Sequence, residues 1–285
     1  MKTKHLVVIG DSRKMPELED ESVHLVVTSP PYFNVKKYGD IAGNIGAIDD
    51  YLLYLRSMEE VFHECYRVLQ PGRYICVNIS DIISSGRKYP IPGHCVFLLE
   101  QAGFMYRDDL IWKKPDGIGQ SAKSGAAKRF GILMQHPYPM YYYPNNVYEH
   151  ILVFRKGVFD FRQPTLEQKL DAKLDIEEAK KRWNTDIWTM VPEIVNQFTK
   201  DSHPAMFPEE LPEGLVRLYT YKGETVLDPF LGSGTTTKVA KALERRSVGY
   251  EINPAYLPTI RKKAGFTDSR GLDVRYREVD GHERG

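Results

Sequence analysis

Residues 224–253, "ETVLDPFLGSGTTTKVAKALERRSVGYEIN", carry the clearest signal of the fold in this chain. The apolar run 225–228 predicts a β-strand, the periodic segment that begins at Thr235 predicts a helix, and the run 247–252 predicts a second strand. Parallel strands need a long crossover connection, usually a helix, that carries the chain back to the end of the sheet where the first strand began. A strand, helix and strand in succession therefore indicate parallel pairing. The stretch therefore predicts an α/β fold with a parallel sheet.

The turn inside this unit has the chemistry of a nucleotide-type ligand site. Gly232, Ser233 and Gly234 let the backbone turn tightly and lie close to a ligand. In such sites an acid about 20 residues beyond the first strand binds ribose hydroxyls, and Glu251 has that place. Asp228 would repel a pyrophosphate but could accept from an ammonium group. A nucleoside that carries an amino acid, such as S-adenosylmethionine, suits this turn better than NAD does.

A second stretch, "VTSPPY" at residues 27–32, closes the apolar run "VHLVV". Its two prolines contribute no N–H donors and force the residue before each into an extended conformation. The Ser29 hydroxyl and the Pro30 carbonyl therefore form a rigid group of acceptors beside the ring of Tyr32. Taken alone, the stretch is equally consistent with a strand terminator and a surface tyrosine.

Short apolar runs alternate with helical patterns along most of the chain. The alternation predicts an α/β, doubly wound, mostly parallel, seven-stranded Rossmann-like sheet with a small inserted region. The predicted strands are 6–10, 23–29, 74–80, 110–112, 150–156, 225–230 and 247–252. The predicted helices are 49–69, 92–102, 165–183, 208–220, 235–244 and 254–264.

Two stretches do not follow this alternation. Residues 113–138 carry five Lys or Arg against one acid, and we expect a long loop that contacts phosphates through Lys123, Lys128 and Arg129. An ordinary solvated surface is the alternative. Residues 157–200 contain a charged helix followed by "RWNTDIWTM", and could form a small appendage to the sheet.

Composition excludes several classes of protein. The 285 residues have a formal net charge of +1, so no global basic field indicates nucleic acid, although a local patch remains open. No apolar run approaches the ~20 residues of a membrane span. Cys65, Cys76 and Cys95 lie in apolar stretches, which predicts buried thiols in a reducing compartment. We therefore expect a soluble cytoplasmic protein. We expect no metal site, because the histidines lack ligand-like spacing.

In their order along the chain, "TSPPY" and "DPFLGSGTT" resemble the motifs of the permuted, or β-class, S-adenosylmethionine-dependent DNA amino-methyltransferases. Three further blocks extend the resemblance over most of the chain: "VIGDSRKMPELEDESVHLVVTSPPY", "NNVYEHILVFRKG" and "SHPAMFPEELPEGLVRL". The block "VGYEINPAY" resembles the part of the family that carries the ribose-binding acid. The resemblance implies a catalytic half at 1–156, a target-recognition segment at 157–200 and a cofactor-binding half at 201–285.

The resemblance also implies roles for individual residues. Ser29 and Pro30 would hold the two hydrogens of a base amino group, Pro31 would stiffen the loop, and Tyr32 would stack on a base flipped out of double-stranded DNA. The residues expected to bind S-adenosylmethionine are Asp11, Phe207, Asp228, Phe230, Gly232, Ser233, Gly234, Thr235 and Glu251.

Three questions stay open at this point. Ser29 in the first catalytic position favours cytosine N4 as the target, with adenine N6 as the alternative. A nicotinamide-dependent dehydrogenase on the same type of sheet is disfavoured, because Thr237 replaces the third glycine of the dinucleotide pattern. A DNA-binding module without catalysis is the third class of function, beside the methyltransferase and the dehydrogenase. A partner restriction endonuclease is expected, while the recognised sequence and the oligomeric state are not determined.

Overall fold

The structure is a computed structural model that describes residues 3–34, 41–84, 86–115, 127–190, 207–266 and 271–277, with backbone only for 127–130. Its centre is a sheet of nine strands in the order β11-β1-β10-β9-β2-β3-β7-β6-β8. These strands are β1 (His5–Ile9), β2 (Val23–Thr28), β3 (Leu69–Ile79), β6 (Met105–Lys113), β7 (Tyr148–Arg155), β8 (Ile187–Thr189), β9 (Thr225–Asp228), β10 (Arg246–Glu251) and β11 (Leu272–Tyr276). Two more, β4 (Ile82–Ser84) and β5 (Arg87–Tyr89), form a separate antiparallel pair.

Among the described residues β7 is the only antiparallel member of the large sheet, and it pairs with β3 on one side and β6 on the other. All the other pairings in that sheet are parallel. The carboxyl ends of eight strands and the amino end of β7 therefore lie at one edge. The prediction of a doubly wound, mostly parallel α/β sheet is confirmed.

Eight α-helices lie in the described residues. They are α1 (Tyr51–Val68), α2 (Ile91–Gln101), α3 (Ala127–Gln135), α4 (Leu166–Asp171), α5 (Ile176–Trp183), α6 (Glu210–Tyr219), α7 (Thr235–Ala242) and α8 (Leu257–Lys263). Two short 3-10 helices lie at Ile45–Ala47 and Pro254–Tyr256. Within the described residues, no helix is both long enough and apolar enough to cross a membrane.

Helices cover both faces of the sheet because its strands are apolar on both sides. Val26 packs in one cluster with residues of α1 and α2, whereas its neighbours Leu25 and Val27 pack in another with residues of α6 and α7. Successive side chains of a strand point to opposite faces, and helices cover both faces, so all three residues are fully buried. All three cysteines are buried and free, as predicted.

The sheet differs from the predicted seven strands at its two edges. Strands β8 and β11 are short and partly exposed, so they lack the apolar runs that reveal a buried strand. Strand β8 lies inside the predicted appendage 157–200 and pairs in parallel with β6, so this part of the segment belongs to the sheet.

Two local predictions also need correction. The stretch 113–138 is not one loop, because Lys113 ends β6 and helix α3 begins at Ala127. The helix predicted at 165–183 is two helices, because Asp175 starts a new one by accepting from the Glu177 and Glu178 N–H groups.

The connections leave a crevice between β9 and β2. Helix α1 carries the chain from β2 to β3 on one side, and α7 carries it from β9 to β10 on the other. Ligands of doubly wound sheets bind where the direction of the connections reverses, beyond the carboxyl ends of the strands. The candidate site lies at this point.

Candidate active site

A cavity with about 630 Å³ of empty space, part of it open solvent, lies at the carboxyl ends of β1, β2, β9 and β10. Six of the predicted site residues line it: Asp11, Ser29, Pro30, Pro31, Phe230 and Glu251. The described residues that line it and were not predicted are Gly10, Ser12, Gly43, Asn44, Ile45, Pro229, Tyr250, Ile252 and Tyr256. The two sequence motifs, about 200 residues apart, thus form one site.

The proline loop, residues 29–32, is held mainly by side chains from other elements. The Tyr54 hydroxyl on α1 donates to the Pro31 carbonyl at 3.0 Å. Just before the loop, the Thr28 hydroxyl donates to Asp228 Oδ1 at 2.8 Å and thereby joins the ends of β2 and β9. Because Pro30 and Pro31 have no N–H to donate, side-chain contacts of this kind help to hold the conformation of the loop.

Tyr32 is 9% exposed and packs in the core cluster under α1. Its hydroxyl donates to Glu149 Oε2 at 3.2 Å. Among the described residues that line the cavity Tyr32 is absent, so its ring flanks the site without forming its wall. The predicted stacking on a base stays a prediction.

The glycine loop, residues 229–234, has the backbone that the sequence predicts. Gly232 has φ +54° and Gly234 has φ +89°, values that side chains other than hydrogen rarely tolerate. The Gly232 N–H donates to Glu251 Oε2 at 2.8 Å, and Gly234 is the N-cap residue of α7. A side chain at Gly234 would also lie 3.1 Å from Ile260 Cγ2.

The Asp228 carboxylate joins β9 to Thr28 of β2 and to Thr236 of α7, and we call it the internal clamp of the site. It accepts from Thr28, from the Thr236 hydroxyl at 2.6 Å and from the Phe230 N–H at 3.1 Å. Burial raises the pKa of Asp228 to about 6, although these three hydrogen bonds favour its charged form. A carboxylate offers about four lone-pair sites, so little acceptor capacity is left for a ligand ammonium group.

Glu251 lies at the cavity wall and, like Asp228, is a buried carboxylate that accepts from backbone N–H groups. It accepts from the Gly232 N–H and from the Asn253 N–H at 2.8 Å, and it is 8% exposed. Burial raises the pKa of Glu251 to about 7, with a smaller contribution from the charge of Asp228. It therefore changes its charge near neutral pH while facing the cavity.

Asp11 follows β1 and is partly exposed at the cavity. Its carboxylate accepts from the Arg13 backbone N–H at 2.9 Å and from the Arg13 guanidinium at 2.5 and 2.8 Å. This local pair restrains the Asp11 carboxylate at the cavity wall.

The remaining predicted residues lie elsewhere. Ser233 and Thr235 are buried, with their hydroxyls 3.2 Å apart. Phe207 is buried in the cluster that contains Trp112 and Trp188, so it packs in the core. For Lys128 and Arg129 the structure describes only the helical backbone of α3, and Lys123 lies outside the described residues.

The unpredicted lining residues had little signal in the sequence. Pro229 and Ile252 adjoin predicted positions, and that adjacency could have revealed them. Asn44 and Ile45 come from the connection between β2 and α1, where only the packing of the 3-10 helix brings them to the cavity.

The described residues also limit the chemistry of the site. They contain no group of three His, Cys, Asp or Glu side chains placed to hold a metal ion. Burial raises the pKa of each cysteine, to about 12 for Cys95, and no cysteine is among the described residues that line the cavity. The wall offers oxygen acceptors and apolar surface, which suits binding and orientation of a polar organic group.

Comparisons with known proteins agree with this geometry. The chain is 35% identical to the type II methyltransferase M.MjaI of Methanocaldococcus jannaschii, over 95% of each chain. A structure of TTHA0409 from Thermus thermophilus, provisionally assigned as a DNA modification methylase and complexed with S-adenosyl-L-methionine, superposes with TM-score 0.73 and 29% identity over 96% of this chain and 99% of that one. The PvuII DNA methyltransferase, cytosine-N4-specific, shares the fold with TM-score 0.64 and 20% identity over 95% of this chain and 89% of that one.

A sequence model of the N6/N4 methyltransferase family, described as DNA methylase, matches residues 23–262. The match includes both loops of the cavity, and it spans most of the 285 residues. The chain belongs to the DNA methylase family.

Proposed function

We propose that this DNA methylase transfers a methyl group from S-adenosylmethionine to the exocyclic N4 of a cytosine flipped out of double-stranded DNA. The observation that carries the proposal is the single cavity, in which Ser29 and Pro30 face the same space as Asp11 and Glu251. The group that activates the amino nitrogen and the groups that bind the methyl donor are therefore adjacent.

The residues of the cavity fit S-adenosylmethionine. Phe230 and Ile252 offer apolar surface to an adenine ring, while Glu251 and Asp11 offer carboxylates to hydroxyl and amino groups. The S-adenosylmethionine complex of TTHA0409, on the same fold, supports this assignment. Bound S-adenosylmethionine supplies an electrophilic methyl group on a sulfonium.

The proline loop has the chemistry to activate an amino group. The lone pair of an exocyclic nitrogen is delocalised into the base, which makes it a poor nucleophile. Acceptors placed out of the ring plane can hold its two hydrogens and favour a tetrahedral nitrogen, and Ser29 Oγ and the Pro30 carbonyl would be these acceptors. Because the prolines fix their positions before the base arrives, no reorganisation is needed at the moment of reaction.

Ser29 is the feature that favours cytosine over adenine, since an acid usually has this position in the adenine enzymes that the sequence resembles. Adenine N6 is the second candidate. The similarity to the PvuII enzyme is at the level of fold and does not bear on this choice.

Duplex DNA must reach the edge at which the cavity opens. We propose that Lys123, Lys128 and Arg129 contact its phosphates, and that residues 157–200 contribute to recognition of the target. Since M.MjaI is a type II methyltransferase, a companion restriction endonuclease is the natural partner.

The test uses the purified protein, unmethylated bacterial genomic DNA and isotopically labelled S-adenosylmethionine. After digestion to nucleosides, mass spectrometry should find the label in N4-methylcytosine. Label in N6-methyladenine would replace the target base, and label at carbon 5 of cytosine or in no nucleoside would overturn the proposal. A thermal shift with S-adenosylmethionine but not with NAD would separate the methyltransferase from the dehydrogenase alternative.

A further inference from the structure

We propose that Glu149 is a positioning residue that fixes the ring of Tyr32 beside the target base, with Lys114 holding Glu149 in place. This inference rests on the proposed function, because it assigns a role to residues behind the proline loop. It concerns three side chains from three different elements that meet under that loop.

The contacts form a short chain. Lys114 Nζ lies 2.8 Å from Glu149 Oε1, and the Tyr32 hydroxyl donates to Glu149 Oε2 at 3.2 Å. Each carboxylate oxygen therefore has its own partner. Glu149 and Tyr32 are both 9% exposed, so the hydrogen bond is shielded from competing water.

The topology explains why these side chains meet at the site. Strand β7 runs antiparallel to β3, so its first residues, including Glu149, lie at the edge where the parallel strands end. Lys114 follows the last residue of β6 at the same edge, and its N–H donates to the Val147 carbonyl at 2.8 Å. Residues at the ends of β6 and β7 thus support the proline loop, which follows β2.

The physical need for this support comes from the two prolines. Pro30 and Pro31 have no backbone N–H, so the two residues before Tyr32 cannot donate to the neighbouring backbone. A hydrogen bond from the phenol to a charged carboxylate is stronger than one between neutral groups, so Glu149 can restrain the rotation of the ring. Lys114 offsets the cost of burying the carboxylate.

Glu149 acts through Tyr32 in this scheme. It is not among the described residues that line the cavity, so the reacting groups do not reach it directly. Removal of the carboxylate should therefore change how the base is held, while the binding of S-adenosylmethionine should stay the same.

The experiment measures single-turnover methylation of unmethylated bacterial genomic DNA, with protein and S-adenosylmethionine in excess. Glu149→Ala and Tyr32→Phe should each lower the rate about tenfold, the usual effect of one charge-assisted hydrogen bond. The double variant should also lose about tenfold rather than a hundredfold, because both changes remove the same contact. Glu149→Gln keeps an acceptor for the phenol and should recover most of the rate.

Glu224→Ala is the matched control. Glu224 is also a buried carboxylate paired with a cation, Arg73, and it also accepts from the Tyr221 N–H, but it precedes β9 at the opposite edge of the sheet. This variant should unfold at a lower temperature and keep the wild-type rate per folded molecule. Calorimetry should give the same affinity for S-adenosylmethionine in wild type, Glu149→Ala and Tyr32→Phe.

Three results would overturn the inference. They are a wild-type rate for Tyr32→Phe, multiplicative losses in the double variant, or an equal loss of rate in Glu224→Ala. Tyr32→Phe keeps the ring and its packing, so it remains informative even where Glu149→Ala fails to fold. A wild-type protein that methylates no DNA would instead contradict the proposed function, so the two failures are distinguishable.

Discussion

The proline loop and the glycine loop end neighbouring strands of one sheet, yet they obtain their conformations in different ways. The glycine loop is stabilised by its own unit, since the Phe230 N–H and the Thr236 hydroxyl bind Asp228 within eight residues. In the proline loop, Pro31 depends on Tyr54 of α1 and Tyr32 depends on Glu149 of β7.

The difference shows how two kinds of preorganisation are built. Glycines free the backbone for positive φ and keep every N–H, so local hydrogen bonds can define the loop. Prolines fix φ and remove donors, so the rigid segment must be placed by distant side chains. Substitutions in the glycine loop unit should change binding and stability, and those around the proline loop should change the rate.

The largest effect is expected for Ser29→Ala in the proline loop. Removal of a preorganised acceptor or donor at the reacting group typically costs about a hundredfold or more in rate. Ser29 lines the cavity but makes no contact that holds the glycine loop, so the affinity for S-adenosylmethionine should be nearly unchanged. Single-turnover methylation and calorimetry on the same preparation give both numbers. A wild-type rate would remove Ser29 from the mechanism.

The next effect is expected for Asp228→Ala. It leaves two buried hydroxyls and one N–H without their acceptor, which should lower the free energy of unfolding by about 2–4 kcal/mol. Affinity for S-adenosylmethionine should fall tenfold or more, because Phe230 then loses its anchor. Urea unfolding and calorimetry measure the two losses. Lost affinity at unchanged stability would instead indicate a direct contact with the ligand.

Glu251→Ala should weaken binding of S-adenosylmethionine by about tenfold, the loss of one charge-assisted hydrogen bond. Calorimetry at pH 8 measures it. Glu251 accepts from backbone N–H groups only, leaves no buried hydroxyl behind and lies at the cavity wall, so the loss of stability should be smaller than for Asp228→Ala. The reverse order of stabilities would contradict the distinction between an internal clamp and a ligand-facing acid.

A pH dependence sharpens the same distinction. Burial raises the pKa of Glu251 from 4.5 to about 7, so the carboxylate that accepts from a ligand hydroxyl forms only as the pH rises through 7. Affinity should increase several-fold between about pH 6 and 8 in the wild type, and Glu251→Gln should lack this increase. The difference between the two proteins cancels the titration of the ligand's own amino group.

The sign of the effect on stability is opposite. The folded protein binds the Glu251 proton more tightly than the unfolded chain does, so protonation favours the fold. The contribution of this group to the free energy of unfolding should therefore decrease as the pH rises from 4.5 to about 7. Urea unfolding at several pH values should show a smaller decrease in Glu251→Gln than in the wild type, because only the contribution of Asp228, whose pKa is raised to about 6, remains; equal decreases in the two proteins would contradict it.

The smallest effect is expected for Tyr54→Phe, which removes the hydroxyl that donates to the Pro31 carbonyl and keeps the aromatic ring. A neutral hydrogen bond contributes about 1 kcal/mol, so the methylation rate should fall about threefold to fivefold. Tyr66→Phe is the control, because Tyr66 lies on the same helix but packs against Phe104, away from the loop. Equal rates for both variants would show that Pro31 needs no support from α1.

Local rules account for the features of this protein that could be predicted from its residues. Continuous apolar runs predicted seven of the nine strands in the described sheet, because most of these seven are buried on both faces and leave little polar alternation. The glycines predicted to form the turn, Gly232 and Gly234, have positive φ, and Glu251, predicted from its spacing, lines the cavity. The fold class and the resemblance to the family follow from these local features.

The other features depend on contacts between residues that are distant in the chain. Strands β8 and β11 form because an existing sheet edge supplies their partners, and three to five half-exposed residues carry no such signal alone. The contact of Glu149 with Tyr32 joins residues 117 positions apart, and no local pattern encodes it. Asp228 became an internal clamp because Thr28 and Thr236 are close enough to occupy its oxygens. The residue types make these contacts possible, but the distances between the strands and helices determine which contacts form.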